Sequence, residues 1–224
     1  MRALPPAWLA VSPRSRGRFR DVADVTRFRR YWDAQAGGYE RRSASLEQRY
    51  LRHGRSWVAT RARGDVLEVA VGTGLTLPYY PPGVRLTAVE WSPKMLDQAH
   101  RRVDELGLDA RLELGDAREL PFGDGTFDTV VCTYALCCIP EPERALAEAH
   151  RVLRPGGELL IADHVVSTSA PARLVQRALE VILRGNGEHL TRRPSLLLPD
   201  AGFEIVESER HGLGILERVR AVRR

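Results

Sequence analysis

The feature that most constrains this chain is a repeated unit: a short apolar run, a break at small or acidic residues, then a helical stretch. Asp65 to Val71 (DVLEVAV) is nearly continuous in apolar character and breaks at Gly72-Thr73-Gly74. A run apolar on both sides leaves no face for water, which is the mark of a strand buried inside a parallel sheet. The unit recurs at Leu86 to Glu90, Ala110 to Leu114, Phe127 to Thr133 and Gly157 to Asp163. Helices are predicted from a Ser92 cap to Leu106, from Glu141 to Leu153, and from Pro171 to Leu183. Phe203 to Glu207 and Gly214 to Val222 read as two last strands. Strands alternating with helices predict an α/β fold, a mostly parallel sheet covered on both faces. In such sheets ligands bind beyond the carboxyl ends of the strands, so chemistry is expected there.

At 224 residues the chain has the size of one α/β domain with short additions, large enough to bury a core without disulfides. Its three cysteines, Cys132, Cys137 and Cys138, form neither a CxxC pair nor a zinc pattern. No apolar run approaches a membrane span, and Pro5 and Pro6 interrupt the stretch where a signal peptide would be apolar. A reduced, cytoplasmic protein is expected. The formal charge of +5 is unevenly placed. Residues 1–63 carry 15 arginines against five acids, and the remainder 19 basic against 24 acidic residues. A basic flank is thus attached to a mildly acidic body. Such a flank suits nucleic acid, anionic lipid or an acidic substrate, or simply a solvated arginine-rich cap.

Residues 1–20, with Pro5, Pro6, Pro13, Gly17 and four closely spaced arginines, predict a flexible basic arm. Residues 21–63 predict a helical cap. One helix is expected from Val25 to Tyr39 and a second from Ser43 to about Arg61, the latter turning Leu46, Tyr50, Trp57 and Val58 inward. Tyr31, Trp32, Tyr39 and Trp57 would give the cap an apolar, aromatic underside. Residues 64–224 would form the main domain.

The first strand ends Glu68-Val69-Ala70-Val71-Gly72-Thr73-Gly74. Gly72 and Gly74 let the backbone turn tightly and approach a ligand. As a dinucleotide fingerprint the motif fails, because Leu77 stands where the third glycine belongs. Glu90, closing the second strand, is placed to accept from ribose hydroxyls. With Gly115-Asp116-Ala117 after the third strand, "LELGDARELPFGDGTFDTVVC" and "RVLRPGG", the ordered set resembles the class I S-adenosylmethionine-dependent methyltransferases, in their methyltransferase type 11 branch. The resemblance is close over about residues 64–164. It implies a Rossmann-like, seven-stranded, mostly parallel sheet with helices on both faces and an N-terminal helical cap. It further implies S-adenosyl-L-methionine as cofactor and S-adenosyl-L-homocysteine as product. By the resemblance Glu68, Gly72 and Gly74 hold the methionine portion, Glu90 the ribose, and Trp91 one adenine face. Asp116 and the Ala117 N–H meet the adenine edge, and Thr133 and Tyr134 border the methyl-transfer centre. Ala70 departs from the family pattern, replacing its first glycine.

Methyl transfer is an in-line displacement, so alignment and exclusion of water carry most of the catalysis. Where the acceptor arrives protonated, His164 at the end of the fifth strand is the candidate base, with Asp163 orienting it and Tyr134 positioning the acceptor. No metal site is expected, since no further carboxylate or histidine has ligand spacing. The base-amine signature of nucleic-acid methyltransferases is replaced by Cys132-Thr133-Tyr134-Ala135, so a small-molecule acceptor is expected and nucleic acid is not. "VGTGLTLPYYPP" and "LTAVEWSPKML" are similar to bacterial phosphatidylethanolamine N-methyltransferases; "VVCTYALCCIPEPERALAEAHRVLRPGG" and "GEHLTRR" are similar to thiol S-methyltransferases, which carry a Cys near Glu188. The expected function is methyl transfer to S, N or O of a small molecule such as a thiol or a secondary metabolite. The alternatives are a phospholipid or quinone methyltransferase in peripheral contact with a membrane, and a non-catalytic cofactor-binding partner. No motif sets the oligomeric state.

Overall fold

A computed structural model describes residues 22–183 and 189–224. The expected arm, residues 1–20, and Glu188 lie outside them. Seven strands form one sheet: β1 (Asp65–Val69), β2 (Arg85–Glu90), β3 (Ala110–Leu114), β4 (Phe127–Thr133), β5 (Leu153–His164), β6 (Phe203–His211) and β7 (Leu216–Arg223). Their order is β3-β2-β1-β4-β5-β7-β6. The first five pair in parallel, and β7 enters antiparallel between β5 and β6. The helices are α1 (Val22–Ala36), α2 (Tyr39–Leu46), α3 (Arg52–Ala59), α4 (Pro93–Leu106), α5 (Pro142–Val152) and α6 (Ala170–Leu183).

Alternation along the strands divides the core between the two sheet faces. Leu67, Val130, Leu159 and Ile161 pack with Ala145, Leu146 and Ala149 of α5. Their neighbours Val66, Val131, Leu160 and Ala162 pack with Trp57 and Val58 of α3 and Ala99 of α4. The ends of α4 follow its sequence. The Ser92 hydroxyl accepts from the Met95 N–H at 3.2 Å, Pro93 opens the helix, and Gly107 closes it at a φ of 61°.

The cap departs from expectation. Its second helix is broken by a π-turn over Glu47–Leu51 that separates α2 from α3. The wider turn changes the phase of the apolar stripe. Trp57 and Val58 are buried as expected, whereas Leu46 and Tyr50 face solvent. The cap is tied to the body by polar contacts: Ser92 Oγ donates to Asp33 at 2.6 Å, Gln98 to the Ala36 carbonyl at 2.6 Å, and Arg102 to Glu40 at 2.7 Å. Strand β1 also ends earlier than expected, at Val69. Ala70 next to it has a φ of 54°, in the left-handed region where a strand cannot continue.

Candidate active site

At the carboxyl ends of β1 to β4 lies a cleft of about 890 Å³ of atom-free space, part of it open to solvent. Turns from four strands contribute: Ala70, Gly72 and Thr73; Glu90 and Trp91; Asp116 and Ala117; Thr133 and Tyr134. Phe28, Arg29, Trp32 and Tyr39 of the cap complete the lining. The sequence-marked residues thus converge, with four exceptions among them. Gly74 lies behind the turn, where a Cβ would meet Leu77 at 2.7 Å. Glu68, Asp163 and His164 stand outside the lining.

Glu90 is buried, and its two oxygens accept backbone N–H groups, Oε2 from Gly72 at 2.9 Å and Oε1 from Ser92 at 2.8 Å. These bonds fix the carboxylate between two turns, while burial raises its pKa. Gly72, at a φ of 60°, has nothing within 4 Å of where a Cβ would stand, so its backbone is open to a ligand. The Thr73 hydroxyl is buried and has no hydrogen-bond partner among the described residues. An orphaned donor beside an open glycine turn and a fixed carboxylate fits a cofactor carrying hydroxyl and amino-acid groups.

Trp91 is braced by Phe28 at 5.7 Å and by the Arg118 guanidinium at 5.2 Å from its ring. That guanidinium also grips Asp116 at 2.7 Å, holding the carboxylate at the cleft edge. Glu68 is fully buried outside the cleft lining and accepts from the Tyr80 hydroxyl at 3.0 Å. Burial pushes its pKa up to about 7. It lies near the end of β1, two residues before the Ala70 turn that lines the cleft.

Tyr134 has a φ of 52°, a strained conformation for a bulky residue, and donates its hydroxyl to the Leu51 carbonyl at 2.9 Å. The hydroxyl is therefore occupied, and the ring forms the wall. His164 packs behind that ring at 5.0 Å instead of reaching the cleft. Burial, and then the positive Arg55, push its pKa down to about 4. Asp163 is buried and accepts from the Cys137 and His164 backbone N–H groups at 2.9 and 2.8 Å, so it fixes a turn. Cys137 brings its sulfur within 4.8 Å of ligand-type atoms of both Asp163 and His164, a proximity that sequence spacing does not show. The Cys138 sulfur lies 3.5 Å from that of Cys137, and Cys138 lines the cleft.

The sequence reading missed Arg55. From α3 it reaches the cleft, donating Nε to Glu47 at 2.9 Å and one terminal nitrogen to Thr133 Oγ1 at 3.0 Å and Thr76 Oγ1 at 3.3 Å. Its guanidinium lies 4.9 Å from the centre of the Tyr134 ring. The signal was available: Arg55 interrupts the apolar stripe of Leu51, Val58 and Ala59. Of the expected aromatic underside, Trp32 and Tyr39 line the cleft, and Trp57 belongs to the core. Burial pushes the Tyr39 hydroxyl up to about 12.

A family model described as a methyltransferase domain matches residues 67–161. A phosphatidylethanolamine N-methyltransferase of Cereibacter sphaeroides is 42% identical over 146 residues, covering 64% of this chain and 72% of that protein. A thiol S-methyltransferase of Rattus norvegicus is 34% identical over 150 residues, covering 64% of this chain and 62% of that one. An S-adenosylmethionine-dependent methyltransferase structure from Thermotoga maritima superimposes with a TM-score of 0.68 at 24% identity, covering 87% of this chain and 99% of that one; it speaks for the fold alone. With the seven-stranded topology and the cleft, these likenesses show that the chain belongs to the class I S-adenosylmethionine-dependent methyltransferases of the methyltransferase type 11 branch.

Proposed function

We propose that the enzyme transfers the methyl group to a sulfur, nitrogen or oxygen atom of a small, largely apolar acceptor by in-line displacement. One observation carries this reading: turns from four strands meet in one cleft, and Phe28, Trp32 and Tyr39 of the cap line it together with Arg29 and Arg55. An aromatic wall selects against a bulky, highly charged acceptor and excludes water from the line of transfer. When bound, S-adenosylmethionine supplies an electrophilic methyl on a sulfonium. Glu90 would orient the ribose, Thr73 and the Gly72 backbone the amino-acid end, and Trp91 with Asp116 and Ala117 the adenine. Tyr134 and Thr133 would wall the acceptor side, both fixed by the cap, Tyr134 through Leu51 and Thr133 through Arg55.

His164 would act as a positioning residue behind Tyr134. Its low pKa keeps the imidazole uncharged at neutral pH, but makes it a weak proton acceptor. An acceptor that offers a lone pair directly, as a thiolate or neutral amine does, suits such a site. The likeness to the phosphatidylethanolamine enzyme supports a second reading, a lipid amine.

The test is label transfer from methyl-labelled S-adenosylmethionine into host extract, separated into small molecules, lipids and macromolecules. Label in small molecules supports the reading, and label in lipid favours the second. Label confined to macromolecules, or cofactor binding with transfer to no fraction, overturns both.

A further inference from the structure

Helix α6 is attached to the protein by its polar side. The Gln176 side chain accepts from the Ser167 N–H at 2.7 Å and donates to the carbonyls of Val165 at 3.0 Å and Leu190 at 3.2 Å. One turn on, Glu180 accepts from the Thr191 N–H at 3.0 Å and from its hydroxyl. The apolar side faces outward: Leu174 is 71% exposed, Val181 60%, Val175 58% and Leu179 44%. With Ala178 they spread over an arc of about 160° at 100° per residue. A helix on a globular body ordinarily turns that stripe to the core, so this one is inverted. The patch is extended by Leu213 in the turn between β6 and β7, 69% exposed, whose carbonyl accepts from Ser167 and Thr168 just before α6.

On the helix itself the charges that flank this face have one sign. Arg177 is exposed and Arg173 half-buried on the helix, while its one acid, Glu180, is turned inward. In the cap, the acids whose side chains are described, Asp33, Glu40 and Glu47, are engaged by Ser92, Arg102 and Arg55. Arg27, Arg30, Arg41, Arg49 and Arg52 remain exposed. A second copy docking the same patch symmetrically would set Arg173 and Arg177 against themselves. An apolar stripe with a cationic border complements an anionic bilayer, where the stripe enters the headgroup boundary and the guanidinium groups meet phosphates.

We propose that α6, with its arginine-bordered apolar face, docks the enzyme on an anionic lipid surface. The proposal is independent of which acceptor is methylated.

The experiment is co-sedimentation of the full chain with phosphatidylcholine vesicles, with and without phosphatidylglycerol, alongside the variants Leu174→Glu/Val181→Glu and Arg177→Glu. Circular dichroism and calorimetric binding of S-adenosylhomocysteine, measured on every variant, keep a failed fold or a failed cofactor site distinguishable from failed docking. Binding to the anionic vesicles is expected, with at least about a tenfold loss in the double variant. Arg177→Glu should weaken it about fivefold or more, at about 1 kcal/mol per basic residue near the surface. Four results overturn the proposal: no binding to anionic vesicles; binding unchanged by Leu174→Glu/Val181→Glu; binding lost only on deleting residues 1–21; or a dimer in sedimentation velocity that Leu174→Glu dissociates.

Discussion

Ala70 holds a backbone conformation that glycine adopts freely and alanine does not, a φ of 54° at the turn leading into the cofactor site. The left-handed conformation costs an L-residue roughly 1–2 kcal/mol, and the unfolded-chain freedom of glycine offsets about 0.5–1 kcal/mol of the gain from replacing it. Ala70→Gly should therefore stabilise the protein by about 0.5–1 kcal/mol, read as a higher urea midpoint with unchanged slope; a lower midpoint would contradict the strain. The departure from the family pattern is legible in the sequence, but the retained conformation is not, because it depends on the turn around it. Glu68 shows the opposite case. Its motif position suggests a ligand contact, and only packing reveals that it is buried outside the cleft lining. A carboxyl near 4.5 in the unfolded chain and about 7 when folded keeps its proton in the folded state between those values. That contribution to stability is complete below 4.5, declines as pH rises, and is gone above 7, a change on the order of 3 kcal/mol. Glu68→Gln should flatten this decline in the cofactor-free protein, and denaturation at pH 5 and pH 8 would show it. Glu90→Ala should weaken S-adenosylhomocysteine binding by about 1–3 kcal/mol in calorimetry; unchanged affinity would remove Glu90 from the ribose role.

Between residue and domain stands the broken helix of the cap. The π-turn sets Glu47 against Arg55, and Arg55 then joins α3 to the strand ends through Thr133 and Thr76. A periodicity of 3.6 cannot announce an inserted residue, which is why Leu46 and Tyr50 are misplaced by the sequence while Trp57 and Val58 are not. The central strands β1, β2 and β4 are, in contrast, legible to within two residues, because their burial leaves each a mostly apolar run, whereas the exposed end of β6 and the start of β5 lack that signal. Contact between α3 and the site is close at Gly54, where a Cβ would stand 2.1 Å from the Tyr134 hydroxyl and 3.1 Å from Ala162. Gly54→Ala should destabilise by about 1–3 kcal/mol through overpacking and lower turnover by moving Tyr134. Adding Tyr134→Phe should recover part of the stability, since the nearest clashing atom is removed; a double variant no more stable than Gly54→Ala alone would refute that contact.

At the scale of the whole molecule, cap and sheet share the walls of one cleft, and we expect residues 22–63 and 64–224 to unfold in a single transition. Tryptophan fluorescence reports partly on Trp32 and Trp57 of the cap, and far-ultraviolet dichroism on the entire chain, so their midpoints should coincide. Separated midpoints would make the cap an independent unit. The position of β7 bears on how this molecule comes to exist at all. It follows every other described strand in the sequence, yet pairs with β5 from Glu158 to His164 and keeps β6 from being its neighbour. Until β7 arrives, the Leu159-Leu160-Ile161-Ala162 stretch has an open row of backbone donors and acceptors. A nascent chain, or one refolding from denaturant, must carry that sticky apolar margin until a strand that lies 52 to 64 residues further along the sequence arrives to pair with it. Aggregation during synthesis is therefore expected to originate at β5, and to be governed by the time needed to close one strand-sized gap.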